Sequence, residues 1–335
     1  MKFRMGISAF LAAQSILMAA EPQTLDILAS KEKSKSERFE TSLLMQSRLT
    51  YDKTEGEPSQ TDVGIRRIEL GLTANVNEWI SGNFLYIFED IGKEGEINLL
   101  EEAYIRIGNS EETPLYFQIG KMLLPFGKFD YFTAREPYTI DFAETIKNAV
   151  LIGYDQNGVN LNAYVFMDEN DQGKDEPDYF GASLAYERSL NDVTLSSQLS
   201  YMSDITKAGG FGDALSGVEY PVDKTSGYGI ALTAEAGQLG LIAEYIAATD
   251  EILGVNTQAT ILNLEAAYTF PFTTAALSYI KTREAEFAGL PENVTSFTLS
   301  KEIFKYTTLA LEYAIIEGYD GVEHDSAVLQ IAFNL

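Results

Sequence analysis

Cysteine is absent from the chain, and histidine and tryptophan each occur only once in 335 residues. Without thiols, neither disulfides nor thiolate-bound metal can hold the fold together. With one histidine, chemistry that needs an imidazole acid or base has a single candidate, His324 in the segment GYDGVEHDSA. Asp320, Glu323 and Asp325 flank it, but no recognised motif places a serine nucleophile, so it reads as a solvated outer-loop residue. No catalytic residues are assigned, and the chain is not expected to be an enzyme. Cations are scarce as well: 24 Lys and Arg stand against 50 Asp and Glu, a formal charge of −26. Such a chain is repelled by nucleic acid and takes neutral or cationic partners. Beyond the N-terminus there is no apolar run of about eighteen residues, which excludes α-helical membrane spans.

The N-terminus is different. MKFRMGISAFLAAQSILMAA carries Lys2 and Arg4, then an apolar run, then Ala19 and Ala20 ahead of Glu21. That is the layout of a secretory signal peptide at residues 1–20. The run is too short for a membrane anchor and is interrupted by Gln14. Its removal takes away two cations and moves the formal charge from −26 to −28. Residues 21–38, with SKEKSKSER, are polar and lack a two-residue period, and they read as a short periplasmic lead-in.

From residue 39 to 335 the chain alternates. Phe39, Leu43, Met45, Leu49 and Tyr51 oppose Glu40, Gln46, Arg48 and Thr50. Ile68, Leu70, Leu72 and Ala74 oppose Arg67, Glu69, Thr73 and Asn75. The same pattern runs through Val159–Met167, Tyr228–Ala234, Leu262–Phe270, Leu309–Ile315 and the closing AVLQIAFNL. A period of two over segments of about ten residues is the mark of β-strands with one apolar face.

Alternation alone would also suit a β-sandwich. The connections separate the two, because short turns (NEWISG, NSEET, DQNG, RSLND, AGQ, Pro271-Phe272, KEIFK) alternate with long polar segments. Short periplasmic turns and long extracellular loops belong to a transmembrane antiparallel β-barrel of the bacterial outer membrane, here of about 16 strands. The fold class is therefore all-β. In lipid every backbone polar group must pair within the protein, and closure removes the unpaired edges. Apolar side chains then face lipid and lipopolysaccharide, and their neighbours in sequence line a wet lumen.

The segment after Lys121 breaks the pattern. Pro125 has no N–H for a ladder, and Gly127 opens backbone angles closed to other residues. Phe126, Phe129, Tyr131, Phe132, Tyr138 and Phe142 then mix with Arg135, Glu136, Asp141 and Glu144. That is too aromatic for a loop in solvent. Either it folds into the lumen as a constriction, or it packs over the barrel rim. Parity also predicts lumen charge: Arg48, Arg67 and Arg106 on the early strands, Glu244, Glu265 and Glu312 on the later ones. Opposed walls of this kind would set a transverse field, or else simply solvate the pore.

The stretch PLYFQIGKMLLPFGKFDYFTAREPYTIDFAET resembles the LbtU-type siderophore porin family through Gly120, Lys121, Pro125, Phe126, Gly127, Pro137, Thr139, Glu144 and Thr145, with Ala143 where that family carries glycine. It is more distantly similar to phosphate-selective porins. The resemblance implies an outer-membrane channel or receptor for ferric siderophores, without a cofactor. Composition and spacing reach only a channel for small hydrophilic solutes, with a general diffusion porin or an anion-selective one as alternatives. A homo-trimer is compatible with this reading. A plugged, TonB-dependent transporter is not, because residues 21–38 are too few for a plug. DENDQGKDEPD mimics the start of a calcium loop at Asp168, Asn170, Gln172 and Gly173, but Tyr179 replaces the closing glutamate. It reads as an acidic outer loop, and no metal site is assigned.

Overall fold

The computed structural model describes residues 38–54, 56–93, 97–168, 178–216, 223–252 and 256–335. The expected signal peptide, all of the lead-in but Arg38, and most of the calcium-like run lie outside these residues.

Sixteen strands follow one another along the chain. They are β1 (Phe39–Thr54), β2 (Gln60–Asn75), β3 (Ile80–Glu89), β4 (Ile97–Gly108), β5 (Leu115–Leu123), β6 (Ile146–Gln156), β7 (Val159–Met167) and β8 (Tyr179–Leu190). The second half holds β9 (Val193–Met202), β10 (Gly227–Ala236), β11 (Leu239–Ala248), β12 (Thr260–Thr269), β13 (Thr274–Arg283), β14 (Asn293–Phe304), β15 (Thr307–Glu317) and β16 (Glu323–Asn334). Each pairs antiparallel with its neighbours in sequence, and β1 pairs with β16, so the sheet is a closed barrel. Leu43 and Leu335 exchange N–H···O bonds of 3.0 and 2.9 Å at the seam.

Residues of alternate parity have opposite fates. Leu232, Leu277 and Leu311 are more than half exposed on the outer surface, whereas Glu244, Asn263 and Glu312 on the inner face are buried. Exposed aromatics edge the apolar band. Tyr51, Tyr201, Tyr228 and Tyr279 lie toward one end, and Phe39, Tyr268, Phe270, Phe272, Phe304 and Tyr306 toward the other. Aromatic girdles of this kind sit at the two membrane–water interfaces.

At the short end, two residues connect β6 to β7, β8 to β9, β10 to β11 and β14 to β15. Asn157 and Gly158 both have positive φ, 57° and 78°, the geometry that lets a two-residue hairpin follow the strand twist. Two turns are tighter than the sequence suggests. Of RSLND only Asn191-Asp192 is turn, and KEIFK is mostly strand. Lys301 to Phe304 stay in the ladder through a bulge against β15, and the turn is Lys305-Tyr306.

Two further bulges break parity. Gln46 faces Arg67 and Ser47 faces Ile65, so Arg66 is the extra residue on β2. Glu101 is likewise extra on β4, between pairs made by Leu100 and Glu102. A bulge turns consecutive side chains toward one face. Glu101 and Glu102 are both buried, and Arg66 and Arg67 both reach one interior carboxylate, that of Glu136.

The long end carries the irregular structure. The third loop (residues 124–145) contains helix α1 (Tyr138–Ala143). The fifth (203–226) contains a 3-10 turn (Ile205–Lys207) and helix α2 (Gly209–Ser216), and the seventh (284–292) contains a 3-10 turn (Glu286–Ala288). No helix among the described residues is long and apolar enough to cross a membrane.

Candidate functional site: the loop ring inside the barrel

The third loop leaves the ladder at Pro125. Leu124 N–H still donates to Thr145 O (2.8 Å), and Phe126 N–H then donates to Leu124 O (2.7 Å) across the proline. This three-residue turn needs no N–H from its central residue, which is why proline fits there. Gly127 has φ 95°, and a Cβ there would run into the Phe129 ring. The Pro-Phe-Gly element thus redirects the chain inward and seats Phe126 and Phe129, both fully buried.

From there the loop tracks the inner wall, held mainly by side chains of the barrel. On β9, Gln198 Nε2 donates to Gly127 O (2.8 Å) and Ser200 Oγ accepts the Gly127 N–H (3.3 Å). On β11, Glu244 accepts the N–H groups of Lys128 (2.6 Å) and Phe129 (3.2 Å). On β12, Glu265 accepts Phe132 N–H (2.6 Å). On β15, Glu312 accepts Ala134 N–H (2.7 Å), Arg135 N–H (3.2 Å) and the Thr298 hydroxyl (2.8 Å), with the Arg135 guanidinium 3.6 Å away. On β16, Ser326 Oγ accepts from Arg135 Nη2. On β1, Arg48 donates to Ala134 O (2.9 Å) and to Gln330 (2.5 Å). Charge-assisted bonds to main-chain amides are among the stronger hydrogen bonds available. Three carboxylates placed along the path fix it.

This changes the picture of opposed lumen walls. Glu244, Glu265 and Glu312 are almost wholly buried and do not present free charge to a pore. They serve as acceptors for an otherwise unpaired loop backbone. Burying such a backbone without acceptors would be costly, so sockets are required wherever a loop lies against a wall.

On the β1–β4 side the ring closes in an ionic cluster. Arg67 Nη1 lies 2.6 Å from Glu89 and 3.7 Å from Glu136, and its Nη2 is 3.6 Å from Glu101; its Nε donates to Glu69. Arg66 sits 3.9 Å from Glu136 and 3.5 Å from Glu89 and Asp90. Glu136 is partly exposed and Asp141 exposed, whereas Glu144 is partly buried beside the return into β6. Arg106 stands apart, on β4 toward the short-turn end. The structure therefore brings Arg48, Arg135 and Glu312 together, joins Arg67 to Glu136, and leaves Arg106 outside both groups.

Opposite the ionic cluster the mouth is dry. Phe211 of α2 meets Phe142 of α1 and Phe287 of the seventh loop in edge contacts, each 5.0 Å between ring centres. Inward-facing Ile246, Ile261, Ile280 and Val294 wall this cluster. Gly209 and Gly210 allow the close approach, since a Cβ at Gly210 would lie 2.6 Å from the Asp141 carbonyl oxygen. Three loops thus form one packed unit within the barrel mouth. Sequence reasoning did not find the fifth loop's part, although Gly-Gly-Phe-Gly at residues 209–212 was a signal in a loop otherwise read as polar.

His324 belongs to β16 and not to a solvated loop. Its Nδ1 is 2.9 Å from the Thr54 hydroxyl and its Nε2 3.4 Å from Asp52, which places it in a cross-strand polar contact at the seam. Among the described residues, no group of three or more His, Asp or Glu side chains is arranged to hold a metal ion.

Comparison with known proteins agrees with this geometry. The profile of a family described as Gram-negative porin matches residues 49–319. A UPF0422 protein of Coxiella burnetii is 26% identical over 288 residues, covering 80% of this chain and 62% of its own length. A UPF0422 protein of Legionella pneumophila (strain Philadelphia 1) is 26% identical over 157 residues, 44% of this chain and 30% of its own length. The chain thus spans about three fifths or less of the length of these curated relatives. Among solved structures, Salmonella typhi OmpF in complex with daunomycin superposes with a TM-score of 0.62 at 13% identity, over 89% of this chain and 97% of that one. An anion-selective porin from Comamonas acidovorans gives 0.61 at 13% identity, over 89% and 99%. At these identities the likeness concerns the fold.

Proposed function

Since the chain belongs to the Gram-negative porin family, we propose that it is an outer-membrane channel that admits small hydrophilic solutes through a passage narrowed by its third loop, with ferric siderophores as the cargo suggested by the Pro-Phe-Gly segment. The observation that supports this most directly is the course of the third loop. It is hydrogen-bonded to β9, β11, β12, β15 and β1 within the barrel, and it brings Glu136 to Arg66 and Arg67 on the β1–β4 side. The dry cluster fills the mouth on the opposite side. Solutes are therefore directed past Arg66, Arg67, Glu136 and Asp141, a surface that favours polar, hydrated molecules over lipophilic ones.

Liposome swelling tests the channel. Vesicles carrying the protein are expected to swell in small sugars and to discriminate sharply against larger oligosaccharides. Swelling no faster than in protein-free vesicles would end the channel reading. The cargo is tested separately by iron-limited growth of a deletion strain supplied with single ferric siderophores. Growth equal to the parent on every siderophore would leave a general diffusion channel.

A further inference from the structure

Arg106 is unlike the other lumen arginines. Arg48 donates to Gln330 and Ala134, Arg67 is surrounded by four carboxylates, and Arg135 is held by Glu312 and Ser326. Arg106 makes no ion pair with any described residue, and its Nη1 is buried without a hydrogen-bond partner, in a side chain more than nine-tenths buried. A guanidinium left in that state is expensive, because a buried charged donor without an acceptor forfeits its hydration.

Its surroundings are built. The guanidinium lies over the Tyr116 ring, 3.7 Å from the centroid. The ring is flat against the wall because Gly153 is beneath it, where any Cβ would overlap the ring. The Tyr116 hydroxyl donates to Asn162, whose Nδ2 donates to Asn160 (2.6 Å) and Ser183 (3.1 Å). Gln118 is the cross-strand partner of Arg106 on β5, and Ser81 is its partner on β3, so both share its inward face. Two carboxylates lie on neighbouring strands: Glu102 accepts Leu123 N–H (3.2 Å), and Asp155, whose charge acts on Arg106 from β6, accepts from Asn160 (3.3 Å). The result is one stacked cation among amides, hydroxyls and the Asp155 carboxylate on the lumen wall, toward the short-turn end.

We propose that Arg106, stacked on Tyr116 and opposite Gln118, is a binding subsite for a small oxyanion, a carboxylate or phosphate group carried by a solute leaving the loop ring. The stack orients the guanidinium plane, leaving Nη1 for a planar or tetrahedral acceptor. The Gln118 amide, opposite Arg106 on β5, supplies a donor that tolerates either geometry. This rests on the channel reading and adds a position at which anionic groups pause.

The experiment is planar-bilayer recording of the full protein, with inorganic phosphate as the blocking ion. In the parent, phosphate is expected to reduce current in a saturable manner. R106Q should raise the half-blocking concentration about tenfold or more, the loss of one charge-assisted contact. Should R106Q fail to fold, Q118E keeps the test open. It sets a carboxylate beside Arg106 on the same face, and should abolish the phosphate block without loss of the arginine. Saturable block that survives both R106Q and Q118E unchanged, or a parent channel that conducts and shows no saturable block, would overturn the subsite. A parent that conducts nothing would instead sink the channel reading beneath it.

Discussion

The Phe129 N–H points between the two carboxylate oxygens of Glu244, 3.2 and 3.3 Å away, from a backbone held at φ 60°. A bulky residue in the left-handed region is strained, and the strain persists only where the surroundings enforce it. Glu244 is that enforcement. E244A should leave two buried donors without an acceptor, costing about 1–3 kcal/mol for each. E244Q should cost less, because one oxygen is retained. Lower thermal midpoints, larger for Ala than for Gln, and noisier single-channel currents are the expected readouts.

Gly120 ends the regular part of β5 with φ 135°, and a Cβ there would strike Ala103 O and Tyr104 Cα on β4. The obstacles are backbone atoms, which cannot swing aside. G120A should therefore destabilise the barrel by at least the roughly 1–3 kcal/mol typical of overpacking. Urea titration of the refolded protein in detergent or lipid measures it.

Phe211 links three loops through the Phe142 and Phe287 rings. F211A should cost about 3–5 kcal/mol locally, as for a buried phenylalanine elsewhere. The loss should fall on the mouth and spare the sheet. Faster hydrogen exchange in residues 138–143 with unchanged exchange in the strands is the expected result, together with a higher single-channel conductance.

Just beyond β7, the Asp168 carboxylate bridges Lys147 and Lys207, 2.9 Å from each. Burial acts against its charge, yet hydrogen bonds from the two lysines hold its pKa below the ordinary carboxylate value. A carboxylate depressed in the folded state stabilises fully above its unfolded pKa, and that contribution is lost as pH falls through the folded pKa. The tie between the base of the fourth loop and the fifth loop should thus be intact at neutral pH and weaken below about pH 4. Limited proteolysis of the fifth loop should accelerate on acidification in the parent. In D168N it should be fast at both pH values.

Much of the barrel is legible in the sequence because lipid and lumen impose a strict period of two. Leu277, Leu311 and Ile331 announce their outward face by type alone. The alternation of turn lengths gives the strand count and the direction. Parity fails where the backbone gains a residue. By the period of two, Arg66 falls with Ile68 and Glu101 with Ile105 on the outward face, and only the bulges on β2 and β4 bring them in beside Arg67 and Glu102. Aromatic content singles out the third loop, but nothing local shows its partners. Glu244, Glu265 and Glu312 read as free lumen charge, because a glutamate facing water and a glutamate accepting a distant amide look alike in one dimension. The contacts that distinguish them span 116, 133 and 178 residues of sequence.

Those spans impose an order in time. Residues 126–135 emerge well before β11, β12 and β15, so a nascent chain holding the loop has nowhere to seat it until most of the wall exists. The contacts that seat the loop are therefore among the last the chain can make, and a substitution in β11, β12 or β15 reaches residues of the third loop far upstream of it.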